Sequence, residues 1–413
     1  MDETALPILL VDLAYREGAL SAAQLALFWP MVHRAARYLV QNGPVSPMDR
    51  WEEDPGYSPY TVAAEIAALL VAADHAQLNS EFAQANFLRE TADAWYAAID
   101  RWMYASNNVW CRRFEVNGYY VRLSQSASGD NRLELENTGA TEIDLLAAHV
   151  VSPDALALVR FGLRAADDLR MVDTAKVIDQ LLKIETPNGP TWHRYNQDRY
   201  GEHADGSPFD GSGIGRGWPL LSAERGHFEL AAGRLSSAKR MAAAVEGFAN
   251  ESGLIPEQVW DSANVPEHGL YWGRPSGSAM PLVWAHAEYL KLRRSLNDGR
   301  VFDLPPQPVR RYLQQQTETS RRSWRFNHKL RVIPRGAPLR LETLARAIVH
   351  WSYDDWKTCQ DIATRDSGLG VHFVDLEPVE AGARAFRFTF YWPDAGHWEN
   401  RDFVVSVEQG SAP

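Results

Sequence analysis

Two acidic segments stand out among the residues able to do chemistry: Asp49-Arg50-Trp51-Glu52-Glu53 and Ile255-Pro256-Glu257-Gln258-Val259-Trp260. Each sets a carboxyl beside tryptophan. Hydrolysis of a glycosidic bond needs a pair of carboxyl groups, because one must protonate the leaving oxygen while the other activates water. The indoles matter equally. A sugar ring offers an apolar C–H face for an indole to cover and a rim of hydroxyls for Asp, Glu, Arg and Asn to bind. With 15 Trp in 413 residues, many beside charged residues, the composition points to carbohydrate. The first segment also has a purely structural reading, since carboxylates approaching the N-terminus of a helix are favoured by its dipole.

Composition removes several other classes. A net charge of −11 argues against a nucleic-acid partner, which needs a clustered basic surface. The one Arg-rich run, Arg310 to Arg325, reads as a solvated connector. Two cysteines, Cys111 and Cys359, support neither a disulfide framework nor a Cys-based zinc site. The histidines show no metal-ligand spacing, so no metal and no cofactor is expected. Apolar runs fall short of membrane-spanning length, and no basic-then-apolar leader opens the chain; a cytoplasmic setting is favoured and a membrane partner is not expected. Gly213, Gly215 and Gly217 do not make a dinucleotide site, because no strand precedes them and no βαβ unit follows.

The elements that must position these residues are mainly helices. Apolar residues recur at three- and four-residue spacing over 5–16, 21–41, 59–77, 80–104, 153–166, 171–184, 217–232, 234–250 and 277–295. Ser58-Pro59 and Ser152-Pro153 each place a capping hydroxyl before a proline at a first helical position. Long loops at 42–57, 106–152, 186–216 and 251–276 carry the function-capable side chains, and 106–136 alternates enough for a small β excursion. From Ser323 the period changes from 3.6 to 2, which predicts a small antiparallel sandwich. The predicted organisation is a helical domain over 1–295, a linker over 296–322 and an all-β sandwich over 323–413.

Several ordered motifs then carry a resemblance. Arg50-Trp51-Glu52-Glu53, Gly56-Tyr57-Ser58-Pro59 and Thr61 to Ile66 resemble the acid segment of glycoside hydrolase family 15, the glucoamylases and glucodextranases. Trp192 to Tyr195, Tyr200 to His203, Asp205 to Asp210, Gly215 to Leu221, Gly253 to Gln258 and Ser278 to His286 follow in the order of the bacterial members. The resemblance covers roughly 1–295. It implies an (α/α)6 toroid whose loops at one end carry the acids. By it, Glu52 is the general acid and Glu257 the general base of an inverting release of glucose from the nonreducing end of an α-glucan. Such a pair is expected ~6.5–9.5 Å apart, with Glu52 held protonated in a Trp-walled pocket. Glu53 and Arg194 would bind sugar hydroxyls, and Trp51, Trp192 and Trp218 would form walls.

The chain also departs from that family's pattern. The Trp-Pro-Arg-Asp segment on the family's first helical hairpin has no counterpart, so the toroid should lack about its first hairpin. Part of the glucose subsite would go with it. Weak or absent activity is therefore expected, or a noncatalytic glucan-binding role, together with self-association through an open toroid edge. Specificity for α-1,4, α-1,6 or the trehalose bond stays open, as does a phosphorylase, against which a separate Glu257 argues. The sandwich resembles a starch-binding module, with Trp392 and Trp398 as its platform; Trp351 and Trp356 read equally well as core.

Overall fold

The computed structural model describes residues 1–125, 132–133, 145–377 and 384–408. Twelve of its helices, numbered in chain order, are α1 (Asp2–Arg16), α2 (Ala22–Leu27), α3 (Trp29–Asn42), α4 (Pro59–Leu78), α5 (Phe82–Tyr96), α6 (Ile99–Met103), α7 (Val109–Phe114), α8 (Ala157–Arg160), α9 (Leu169–Leu182), α10 (Pro219–Ala231), α11 (Leu235–Phe248) and α12 (Val283–Asp298). Short ladders join some of them: β1 (Tyr104–Ser106) with β2 (Gly118–Tyr120), β3 (Arg132–Leu133) with β4 (Leu145–Leu146), and β5 (Lys183–Thr186) with β6 (Gly189–Trp192). The β excursion expected over 106–136 is thus present at β2 and β3; Glu134 and Leu135 lie outside the described residues.

Four expected helices are shorter than their patterns, the 80–104 run giving α5 and α6 with a break at 97–98. The 21–41 run breaks at Phe28, where α2 ends and Pro30 opens α3. The 153–166 run gives one 3-10 turn and the single turn α8, after which Gly162 takes a left-handed φ of 76°. Residues 277–282 stay outside the helix, where Ala279 and Ser278 bond to the segment bearing Glu257. Ser152 caps as read, its Oγ accepting from the Asp154 N–H at 3.2 Å, whereas the Ser58 hydroxyl is buried without a hydrogen-bond partner. Helix α4 is long and apolar enough to cross a membrane, contrary to the sequence reading; 83% of its apolar window is buried inside the protein, as in a core helix.

The chain packs as two compact units. One comprises Met1–Val45, Glu65–Ala98 and Gln316–Pro413. Its β part is a two-sheet sandwich in which β7 is Arg322–Trp324, β8 Val332–Ile333, β9 Leu339–Thr343, β10 Ile348–Ser352, β11 Gln360–Ala363, β12 Arg365–Asp366, β13 His372–Leu376, β14 Ala385–Trp392, β15 His397–Trp398 and β16 Phe403–Val407. One sheet runs β11-β10-β14-β16-β8 with β15 on β14, the other β12-β13-β9-β7. Pairing is antiparallel except at two edges, β16–β8 and β7–β9. Period two decides what is inside: Phe386, Phe388 and Phe390 of β14 are buried against Trp324, while Arg387, Thr389 and Tyr391 point the other way. Within this unit Arg325 donates to the Val40 and Gly43 carbonyls of α3's C-terminal end at 2.6 and 3.0 Å, and Arg340 to Glu90 of α5 at 2.8 Å.

The second unit, Ser46–Ala64 and Ile99–Gln315, holds both acidic segments. Its frame is the packing of α10 with α11 and α12. Gly226 of α10 makes this contact close: a Cβ there would lie 2.6 Å from Leu292 of α12 and 3.1 Å from Met241 of α11.

Candidate active site

The acid segment is a hairpin loop fixed at its base. Ser46 and Gly56 exchange both backbone hydrogen bonds, and Asp49 N–H donates to the Asp54 carbonyl at 2.8 Å. Within the loop, Asp49 Oδ1 accepts from the N–H groups of Trp51 and Glu53 at 3.2 and 3.3 Å, which forces a tight turn at Glu52. Glu52 consequently takes a left-handed φ of 60°, a conformation that costs a non-glycine residue about 1–3 kcal/mol and persists only where its surroundings impose it. The turn directs the two glutamates apart. Trp51 and Glu53 go inward, both buried, while Glu52 is exposed at the tip. The indole-walled enclosure expected around Glu52 is therefore not what the loop provides.

What imposes the turn is a buried charge network. Arg122, fully buried, donates to Asp54 Oδ2 at 2.9 Å, Asp49 Oδ2 at 2.7 Å and Glu53 Oε2 at 2.8 Å. Its guanidinium stacks 3.7 Å from the Tyr195 ring, and the Tyr195 hydroxyl donates to Glu53 at 2.7 Å. Arg194 bonds Glu53 Oε1 at 2.9 Å and forks onto Asp198 at 2.9 and 2.7 Å. With both oxygens in ion pairs, Glu53 is unsuited to proton transfer. On the other side, Arg50 joins Asp154 at 2.7 Å and Glu224 of α10 at 2.6 Å, and the Trp51 indole N–H donates to Asp154 at 3.0 Å. Burial, opposed by Arg50, pushes the Asp154 carboxyl up to about 6.

The second acidic segment is stapled from both sides. Glu257 N–H donates to the Ala279 carbonyl at 2.8 Å, Gln258 N–H to Ser278 Oγ at 2.9 Å, and Val259 N–H to the Gly217 carbonyl at 2.9 Å. Glu257 is half-buried and lines a cavity of 430 Å³ with Tyr200, Glu202, Phe209, Gln258 and His268 among its walls. Glu52 is not among the residues lining it. Burial raises the Glu257 carboxyl above the ordinary carboxylate range and Glu202 adds to this, while the Tyr200 hydroxyl that bonds it and Arg194 oppose the rise.

Rings connect the two segments. Trp51 meets Trp218 edge-on at 5.2 Å, Trp218 lies 6.4 Å from Tyr200, and Trp284 closes on Trp51 at 5.5 Å. The Arg194 guanidinium sits 5.2, 5.4 and 5.0 Å from the centres of Trp51, Trp218 and Tyr200. The structure thus gathers Trp51, Glu53, Arg194 and Trp218 around one aromatic path that ends at Glu257. Trp192 is not on it: it is buried, bonds Asp179 at 2.9 Å through its indole N–H and packs under Arg225, a core position. Sequence reading missed Arg122, Asp154, Tyr195, Tyr200, Glu202 and Trp284. A buried Arg inside the alternating run Tyr119 to Leu123 was the available signal for Arg122.

The three glycines have a packing role. A Cβ on Gly213 would lie 1.8 Å from the Gly201 carbonyl oxygen, on Gly215 2.6 Å from the Asp198 carboxyl, and on Gly217 2.3 Å from Thr191. They let the 199–217 loop lie flat against the Arg194–Asp198 pair.

In the sandwich, the expected platform pair separates. Trp392 packs against the core and its indole N–H donates to Glu399 at 3.0 Å. Trp398 is exposed, beside Tyr391 at 5.3 Å and His350 at 5.8 Å; His350 stacks on Trp356 at 5.4 Å and 9°. Trp351 is core and Trp356 is only partly buried. Asp355 and Trp356 both take left-handed φ, 59° and 64°, held by Asp355–Arg387 at 2.6 Å and Trp356 N–H to Ser352 Oγ at 3.0 Å.

Comparison with known proteins identifies the family and the fold. Residues 1–294 match the model of glycosyl hydrolases family 15. A glucoamylase of Clostridium sp. (strain G0005) is 38% identical over 315 residues, which are 76% of this chain and 41% of that protein. A crystal structure of a bacterial glucoamylase complexed with acarbose superposes with a TM-score of 0.66 at 37% identity, covering 76% of this chain and 43% of that one. A solved wild-type glycosidase shares the fold at 22% identity and a TM-score of 0.50, covering 74% of this chain and 67% of that one. The chain thus spans less than half the length of the two glucoamylases, and the likeness gives its helical part the toroid-like fold expected from the sequence. On the family match over 1–294, the 38% identity to a glucoamylase and this common fold, the chain belongs to glycoside hydrolase family 15.

Proposed function

We propose that this glycosidase is an inverting, exo-acting α-glucan glucohydrolase that releases glucose from nonreducing ends, with Glu52 as general acid and Glu257 as general base. The observation that carries the reading is Glu257 itself: a half-buried carboxyl on a cavity, with one oxygen lacking a protein partner, at the end of the aromatic path that begins beneath Glu52. An oxygen so placed can take a proton from a water attacking the anomeric carbon while Glu52 protonates the departing oxygen. Trp51, Trp218 and Arg194 would hold the sugar, and Glu53 keeps Arg194 in place. The glucoamylase solved with acarbose supports an α-glucan as substrate class.

Incubation with maltotriose, isomaltotriose and trehalose, followed by proton NMR of the released anomer, tests this. β-Glucose as first product, abolished by Glu257→Gln and Glu52→Gln, is expected. Retained α-configuration or undiminished turnover in Glu257→Gln would refute it. The exposure of Glu52 favours one second reading, a noncatalytic α-glucan binder, which would bind maltotriose without turnover.

We further propose that the sandwich carries a glucan platform made by Trp398, Tyr391, His350 and Trp356, in place of the Trp392–Trp398 pair. Support comes from the exposure of Trp398 and from a strained turn, fastened at two points, that holds Trp356 on His350.

A further inference from the structure

The reading above gives Glu202 neither a sugar hydroxyl to bind nor a proton to transfer, yet it faces the same cavity as Glu257. It is 6% exposed. Its main chain is clamped by Arg216, whose Nη2 donates to the Glu202 carbonyl at 2.8 Å. One carboxyl oxygen, Oε1, accepts from the Gly277 N–H at 2.5 Å, and a Cβ at Gly277 would come within 2.9 Å of that oxygen. The other oxygen, Oε2, is buried without a hydrogen-bond partner. Two more acceptors on the same walls share that condition, Glu257 Oε1 and Gln258 Oε1.

A buried acceptor without a partner is unfavourable, and native structures rarely tolerate one unless it serves something else. Three around one hollow describe a site that wants donors. The Tyr200 hydroxyl on these walls already donates to Glu257. A ligand that displaces water from these oxygens must bring several O–H groups, which is the chemistry of a sugar. A cation would also satisfy oxygens, but no group of three or more His, Cys, Asp or Glu able to hold a metal occurs among the described residues.

Resting on the glycosidase reading above, we propose that Glu202 is a specificity-determining residue of the site: its Oε2 accepts a hydrogen bond from a hydroxyl of the sugar held beside Glu257. A second effect follows from placement. A charged Glu202 on the same walls keeps the Glu257 carboxyl protonated to higher pH than burial alone would, so Glu202 also sets where the base becomes active.

Glu202→Gln separates these roles. The Gly277 N–H requires an acceptor, so the amide oxygen takes Oε1's place and the NH₂ group turns to the cavity, replacing an acceptor by a donor and a charge by none. In the full chain, with maltotriose, KM should rise about 10- to 100-fold, as for the loss of one charged hydrogen bond, and kcat should fall less. The acid limb of the kcat/KM profile should move to lower pH. Glu202→Asp keeps the charge but withdraws the oxygen; it should weaken binding while leaving that limb in place, and it provides the test if the Gln variant does not fold. Tryptophan fluorescence titrated with maltotriose gives affinity independently of turnover. Parent turnover with unchanged affinity and pH limb in both variants overturns the proposal alone. Binding without turnover, weakened in both variants, overturns only the hydrolase reading and supports Glu202. A raised melting temperature on adding Ca²⁺, abolished by Glu202→Gln, overturns the sugar assignment.

Discussion

Replacing Arg122 by Met should damage stability and activity together, and the structure sets the size of the effect. Arg122 has no solvent exposure and reaches Asp49, Glu53 and Asp54 at 2.7–2.9 Å. Methionine keeps an unbranched apolar stem, but it carries no charge and stops short of the carboxylates. Asp49, Glu53 and Asp54 would each lose that ion pair, while Arg194 would keep its bonds to Glu53 and Asp198. Removing one partner of a buried ion pair costs about 3–5 kcal/mol, because the remaining charge stays desolvated. Three acceptors on one guanidinium put the expected loss at the upper part of that range, which lowers the melting temperature by roughly 10 °C. Differential scanning fluorimetry and urea unfolding read it directly. Because Asp49 also builds the turn that presents Glu52, a shift of about 1 Å there should reduce kcat/KM about 100-fold. Arg122→Lys retains the charge without the fork and should fall between parent and Met variant. Adding Asp49→Asn to Arg122→Met removes one orphaned charge and should recover part of the stability. A Met variant within about 1 kcal/mol of the parent, with parental kcat/KM, would show that the network neither holds the loop nor supports the acid.

Two further outcomes are expected. Glu65 is fully buried with neither oxygen hydrogen-bonded, and burial pushes its carboxyl from 4.5 up to about 8, Asp2 adding to this and the N-terminal amine and Arg325 opposing it. The folded state thus holds a proton that the unfolded chain releases, so the favourable contribution is complete below pH ~4.5 and fades as pH rises to about 8; at ~1.36 kcal/mol per pH unit this is worth up to about 5 kcal/mol. Urea midpoints at pH 5 and pH 8 should show Glu65→Gln losing much less stability across that interval than the parent; parallel slopes would contradict the assignment. Trp398→Ala should weaken β-cyclodextrin binding by the full chain more than tenfold at unchanged melting temperature, whereas Trp392→Ala should lower the melting temperature. The reverse pattern in calorimetric titration and melting would restore Trp392 as the platform.

The conformation of the candidate site was legible where it is local. Neighbouring residues make the turn at Glu52: Asp49 caps two N–H groups within four positions, and that relation is written in the spacing of Asp49 to Glu53. Helix boundaries set by Pro30 and Gly162, and the inward Phe residues of β14, follow equally from short-range sterics and period. The order of the acid and base motifs was enough for the family. Trp192 failed because an indole reads alike on a wall and in a core; only its bond to Asp179 distinguishes them. Trp392 and Trp398 differ for a similar reason, since they flank one turn and the fold alone decides which ring meets the Phe390 layer.

What tertiary structure decided is charge. Arg122 serves carboxylates some seventy residues away, Tyr195 and Arg194 reach Glu53 from a different loop, and Glu202 meets Gly277 and the walls around Glu257 only because the loops converge on one cavity. The chain by itself supplied the kinds of groups and their local conformations, because backbone sterics and capping act over a few residues. Which carboxyls are desolvated, paired or left facing the cavity depends on distances between segments remote along the chain, and ionic and hydrogen-bonding energies change steeply with those distances and with burial.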